Sequence, residues 1–233
     1  SNGIARLGVT SAGWYLLTSA QPSSVFATTS FSDDFNRADA NPATGWAAQT
    51  GTASSVQTSG NLAVPQNTSL TIYALPTAGA WATGSSQDAQ VAVQLSSTLV
   101  AVTRAGLCLM AASSGPSSYV VYVQGGSVNF HKTTGSGSNI GTADLGTIAN
   151  TNASAGTLRV HASADGASMV LSAFVDGAFI GSKADTGTPL YAAGYTGLVF
   201  GLNSGGHPAS GTRMDDFQQN TTAAPPFAAA DLV

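Results

Sequence analysis

The chain has 233 residues, 43% of them apolar and only 8% charged, with a net charge of −4. The apolar share supplies a core and excludes a disordered chain, and the length suits one β-sandwich with short appended segments. Seven Lys and Arg are too few for the basic patch that phosphates demand, so nucleic acid is excluded as a partner.

Residues 1–30 read as an N-terminal extension. After Arg6 comes an apolar stretch from Leu7 to Leu17, broken by Gly8, Thr10, Ser11 and Gly13. Those breaks favour a retained segment over a signal peptide cleaved near Val25-Phe26-Ala27. Ile4, Leu7, Trp14, Tyr15 and Leu17 are too apolar to leave in water, so they are expected to bind a partner: another subunit or a scaffold. A Ser/Thr-rich link from Ser23 to Ser30 follows.

From residue 31 onward, short apolar runs alternate with Gly, Ser, Asn and Asp. They predict strands over Asn61–Val64, Ser69–Leu75, Ala89–Leu95, Ala105–Ala112, Tyr119–Gln124, Ser127–Lys132, Thr157–Ser163, Ser168–Val175, Gly197–Leu202 and Arg213–Phe217. Val91, Val93 and Leu95 alternate with Ala92 and Gln94, and Leu158 and Val160 with Arg159 and His161, which marks one buried and one wetter face. Gly125-Gly126 and Asp176-Gly177 are expected to turn hairpins, since both dipeptides tolerate positive φ. Residues 218–233, with Pro225-Pro226-Phe227, read as a C-terminal tail. No helix is predicted: the acidic residues are all Asp, Lys132 and Lys183 are the only lysines, and Gly, Ser, Thr and Val abound. The single cysteine, Cys108, lies in an apolar run and reads as a buried small hydrophobe. No run reaches the roughly 18 apolar residues of a membrane span.

Two segments carry a family resemblance. Phe31-Ser32-Asp33-Asp34-Phe35-Asn36-Arg37 with Gly45-Trp46 stands near the start. Gly197-Leu198-Val199-Phe200-Gly201 with Met214-Asp215-Asp216-Phe217 stands near the end. Over residues 31–217 the chain resembles the concanavalin A-like, laminin-G-like jelly rolls of phage virion proteins and bacterial secreted proteins. The resemblance implies an all-β, two-sheet antiparallel jelly-roll sandwich whose first and last strands pair, bringing the two Asp-Asp-Phe motifs together with Phe35 and Phe217 in the core.

Candidate chemistry is sparse. Glycoside hydrolysis uses two carboxyl groups, and this chain has no Glu and no spaced Asp pair on one strand, so no catalytic residues are expected. The adjacent pairs Asp33-Asp34 and Asp215-Asp216 have two readings: hydrogen-bonding residues at turns and strand ends, or a structural calcium site through Asp34 and Asp216, because a hard cation takes oxygen ligands. Asn129, His131, Arg159 and His161 fall on wetter phases of their strands; they read as a solvated face or as the lining of a sugar-binding one. Trp46 and Trp81 read as packing aromatics before sugar-stacking platforms. The expectation for function is a non-enzymatic virion structural protein, a capsid decoration or a head- or tail-fibre module. It would bind virion proteins or its own subunits and take up host glycans. The alternative is a secreted, extracellular carbohydrate-binding module.

Overall fold

A computed structural model describes residues 4–6, 16–18, 31–49, 55–66, 71–77, 86–95, 103–112, 117–134, 143–150, 155–165, 167–188, 190–191, 194–202 and 211–220. The described residues contain strands and no helix. In chain order the strands are β1 (Ile4–Arg6), β2 (Leu16–Thr18), β3 (Phe31–Asp33), β4 (Trp46–Ala48), β5 (Val56–Ser59), β6 (Leu62–Pro65), β7 (Ile72–Pro76), β8 (Ser86–Gln94), β9 (Thr103–Ala111), β10 (Ser118–Gln124), β11 (Ser127–Thr133), β12 (Ala143–Ala149), β13 (Ala155–Asp165), β14 (Ser168–Val175), β15 (Ala178–Asp185), β16 (Tyr195–Leu202) and β17 (Arg213–Asn220).

Two antiparallel sheets make the sandwich. The seven-stranded sheet runs β12-β11-β10-β9-β16-β7-β4 and the eight-stranded sheet β15-β14-β13-β8-β17-β6-β5. Strand β3 pairs with β17 beside this path, and β1 and β2 form a two-stranded sheet of their own. The core lies where the inward phases meet. Val91, Val93, Leu158, Val160, Leu171 and Phe217 come from one sheet, and Leu107, Val121, Val123, Phe130, Leu198 and Phe200 from the other. Alternation along each strand sends every second side chain inward, which is why apolar residues at i and i+2 suffice to build this core.

All ten predicted strands are present, several extended at their ends. Strand β17 continues to Asn220, so the C-terminal tail begins later than residue 218. Seven further strands within the sandwich segment or the extension escaped the pattern, among them β4, β5, β12 and β15. They are short or lie at sheet edges, where half the residues face water and glycines interrupt the run. At one such edge β12 meets β15: Gly181 sits so near Ile148 that a Cβ on it would come within 2.6 Å of Cδ1. The hairpins fall where expected, with Gly125 and Gly126 at φ 55° and 81° and Asp176 and Gly177 at 49° and 78°.

The pairing of the first and last strands is present: Asp33 lies opposite Phe217, and Phe35 and Phe217 are both fully buried. Trp46 seals this seam. Its ring packs 5.5 Å from Phe35 and 5.2 Å from Phe217, and its Nε1 donates to Asp33 Oδ2 at 2.7 Å. Trp46 is therefore a core residue. So is Cys108, whose thiol burial pushes up to about 12.

Gln87 ties the sheets together from inside. It takes an inward position of β8, and its Nε2 donates to the Gly194 carbonyl at 2.7 Å. Its Oε1 accepts from the Met110 amide at 2.8 Å and the Thr196 hydroxyl at 3.0 Å. Met110 stands at φ 51°, unusual for a bulky residue, and the Gln87 bond holds its amide there.

Candidate functional site

The seven-stranded sheet turns a polar stripe outward across four adjacent strands. Inward positions Ala105, Val121, Val123, Val128 and Phe130 fill the core. The alternate positions are Arg104 on β9, Tyr122 and Gln124 on β10, and Asn129 and His131 on β11. Register aligns them: Tyr122 lies opposite both Gly106 and Asn129, and Asn129 opposite Thr147 of β12. At about 4.8 Å per strand, three spacings make a stripe about 14 Å long, running across the strands.

A bulge completes it. Phe130 faces Gly146 while His131 faces Asp144, so the register skips Leu145. Without the bulge, Asp144 would fall in phase with inward-pointing Lys132; the extra residue turns it onto the outer face instead.

The groups interlock. The Tyr122 hydroxyl and His131 Nε2 are hydrogen-bonded at 2.9 Å, and their rings stack at 5.3 Å with 19° between planes. The Arg104 guanidinium lies 4.9 Å above the Tyr122 ring, and its Nε donates to Gln124 Oε1 at 3.0 Å. Thr147 Oγ1 donates to Asn129 Oδ1 at 2.8 Å. Asp144 Oδ1 accepts the Gly146 amide at 2.7 Å and stands 4.0 Å from His131 Nε2. The His131 side chain is 16% exposed and that of Asp144 69%, so the imidazole is a partly covered floor and the carboxylate an open rim. Burial pushes the Tyr122 hydroxyl up to about 12, with Arg104 opposing and Asp144 adding to the rise. Burial also holds His131 below its ordinary value; Asp144 opposes that fall and Arg104 adds to it.

Tyr122 itself is buried, at 1% exposure, so the stripe offers amide, hydroxyl, imidazole, guanidinium and carboxylate groups over a covered aromatic ring. It can exchange hydrogen bonds with a hydroxyl-rich ligand. Among the described residues Asp144 is the one carboxylate on it, whereas glycoside hydrolysis uses a pair of carboxyl groups.

The four residues expected to line one sugar-binding face are split. Asn129 and His131 are on the stripe, whereas Arg159 and His161 are on β13 of the other sheet. There Arg159 donates from Nε to Asp88 Oδ1 at 2.9 Å and lies 4.9 Å over the Phe174 ring. Both are buried, Arg159 at 8% exposure and His161 at 2%. Period-two alternation identifies the outward phase but not the sheet to which a strand belongs.

Asp34 and Asp216 both line a cleft of about 470 Å³ where the two Asp-Asp-Phe motifs meet. The carboxylate between them is committed: Asp33 accepts Trp46 Nε1, Arg37 Nη2 and the Phe35 amide. Asp34 accepts the Asn36 amide at 3.0 Å, and Asp215 accepts that of Asp216 at 2.9 Å. These are the turn bonds of the plainer reading. Calcium takes about six to eight oxygens, and among the described residues no three His, Cys, Asp or Glu side chains converge on one point. Among the described residues, then, no side-chain cluster of the kind that holds a metal accompanies Asp34 and Asp216.

Of the residues expected to bind a partner, Ile4 and Leu17 lie in β1 and β2, while Leu7, Trp14 and Tyr15 fall outside the described residues, as does Trp81. Sequence reasoning missed Arg104, Tyr122, Gln124, Asp144 and Thr147. The Tyr122–Asn129 pair was within reach, because a two-residue turn at Gly125-Gly126 dictates it.

No family model matches the sequence, and no curated protein matches it. Solved structures share the architecture at low identity. A carbohydrate-binding module, CBM66, from Bacillus subtilis aligns with a TM-score of 0.51 at 12% identity, covering 77% of this chain and 98% of its own. The carbohydrate recognition domain of Emp46p in its metal-free form gives 0.51 at 7% identity, covering 77% of this chain and 89% of its own. SCLam, a non-specific endo-β-1,3(4)-glucanase from family GH16, gives 0.51 at 10% identity, with 94% of each chain covered. Binding modules and a glucanase thus share this architecture, so fold does not choose between binding and hydrolysis.

Proposed function

We propose that this chain, a concanavalin A-like jelly roll by fold, is a non-enzymatic glycan-binding module of a virion, either a capsid decoration or a head- or tail-fibre component. The observation that carries the binding part is the stripe from Arg104 through Tyr122, Asn129 and His131 to Asp144. Its donors and acceptors are held in place by one another, so little side-chain entropy is lost on meeting a ligand. The absence of hydrolysis rests on the chain's having no Glu and on the single carboxylate of the stripe. The virion assignment rests on the charge-poor surface and on the apolar extension of residues 1–30, which serves to seat the domain on neighbouring subunits or a scaffold.

The test has two arms. Purified chain is applied to a glycan array, and antibody to the chain is used to ask whether it sediments with intact particles from its source. Array binding together with co-sedimentation supports the reading. Array binding by protein found only free outside cells points to a secreted carbohydrate-binding module instead. Reducing-sugar release from a polysaccharide panel, abolished by Asp144→Asn, would overturn the non-enzymatic part.

A further inference from the structure

We propose that His131 is a pH gate on the stripe, releasing ligand in acid by drawing Asp144 away from it; this rests on the glycan-binding reading. The geometry places His131 Nε2 between two oxygens of different character. Tyr122 Oη is at 2.9 Å and neutral, and Asp144 Oδ1 is at 4.0 Å and charged. In the neutral imidazole with its proton on Nδ1, Nε2 accepts the Tyr122 hydroxyl proton. Asp144, whose side chain is mostly exposed, keeps its outer oxygen for a ligand hydroxyl. In the imidazolium, Nε2 carries a proton and becomes a donor. Tyr122 can then no longer donate to it, and the anionic acceptor in reach is Asp144. Closing that gap engages the carboxylate that the ligand used. Ligand and proton therefore compete for one side chain, and linkage requires each to weaken the other.

The charges facing the imidazole are few. Arg104 approaches from β9 over the Tyr122 ring, Tyr122 stands on β10 and Asp144 on β12. On β11 itself, Lys132 points inward and is paired with Asp185 at 2.8 Å. Burial and Arg104 favour the neutral imidazole while Asp144 favours the charged one, so the gate is open at neutral pH and closes below the ordinary histidine value of 6.5.

The experiment follows the His131 ring by NMR from pH 8 to 4 in the full chain, with the resonance assigned by His131→Gln. In parallel, retention on immobilised β-1,3-glucan, galactan and mannan is measured at pH 7.5 and 4.5. The expected midpoint lies below 6.5, moves lower in Asp144→Asn and moves higher in Arg104→Gln. Retention of wild type at pH 4.5 should be about tenfold weaker, the loss of one hydrogen bond to a charged group, and Asp144→Asn should abolish that pH dependence. Retention equal at both pH values while His131 titrates between them overturns the gate and spares the glycan reading. Retention at neither pH overturns the glycan reading and the gate with it.

Discussion

At the scale of single residues, two buried polar groups hold this chain in one arrangement. Gln87 satisfies three partners across the sandwich, and truncation to Ala strands the Met110 amide, the Gly194 carbonyl and the Thr196 hydroxyl. Leaving such groups without partners costs about 1–3 kcal/mol each, so Gln87→Ala should lower unfolding free energy by about 3 kcal/mol in a urea titration. A loss under about 1 kcal/mol would mean that water or a neighbour takes over. The second group is Asp185, which accepts from Lys132 Nζ and from the Tyr119 hydroxyl, both at 2.8 Å. Burial alone would raise its pKa, but Lys132, the Gly187 amide and Tyr119 together hold it below the ordinary carboxyl value. A depressed carboxyl contributes stability that is complete above the unfolded pKa of about 3.9 and fades as pH falls through the folded value. Wild type should therefore lose stability below about pH 4, and Asp185→Asn should flatten that decline. A Tm profile identical in the two proteins would remove Asp185 from the account. Asp34 and Asp216 make the opposite case: exposed carboxylates without a metal cage. A chelator should leave Tm unchanged, and a fall of several degrees would restore calcium.

At the scale of elements, the seam between β3 and β17 joins the ends of the sandwich. Phe217 packs there against Phe31 at 6.1 Å and Trp46 at 5.2 Å. Phe217→Ala should cost about 3–5 kcal/mol, read as an earlier midpoint in denaturant, whereas Phe31→Ala, at a half-buried position, should cost less. Equal costs would mean that the seam is not the hydrophobic joint described. The pairing of these strands is what the family resemblance carried by the two Asp-Asp-Phe motifs implies. The β10–β11 register was equally legible, because Gly125-Gly126 leaves only one way to align Tyr122 with Asn129. The contribution of β12 was not legible: Ala143–Ala149 reads as a loop with a glycine, and a bulge that skips Leu145 leaves no periodic trace. Arg159 and His161 do lie on the outward phase that their alternation marks; that they stand on the eight-stranded sheet, away from Asn129 and His131, and are buried there was not legible.

At the scale of the whole molecule, composition foretold the all-β class. It could not foretell which of four outer or inner sheet faces bears polar residues, since that depends on strand order rather than on any one strand. Residues 1–30 are the proposed assembly element. Their deletion should leave a folded domain of unchanged Tm that no longer joins its particle or oligomer, as followed by light scattering and co-sedimentation. A truncated chain that unfolds would instead assign the segment to the core. The most direct test of the central claim is the affinity of a single stripe variant for a glycan that wild type binds. Asn129→Ala alters a partly exposed side chain bonded to Thr147 and should keep the wild-type Tm. The account predicts that it binds about tenfold more weakly, the worth of one or two hydrogen bonds at a ligand. Wild-type affinity in Asn129→Ala, together with loss of binding in an Asp34→Asn, Asp216→Asn double variant, would place the ligand in the cleft between the two Asp-Asp-Phe motifs and contradict the account.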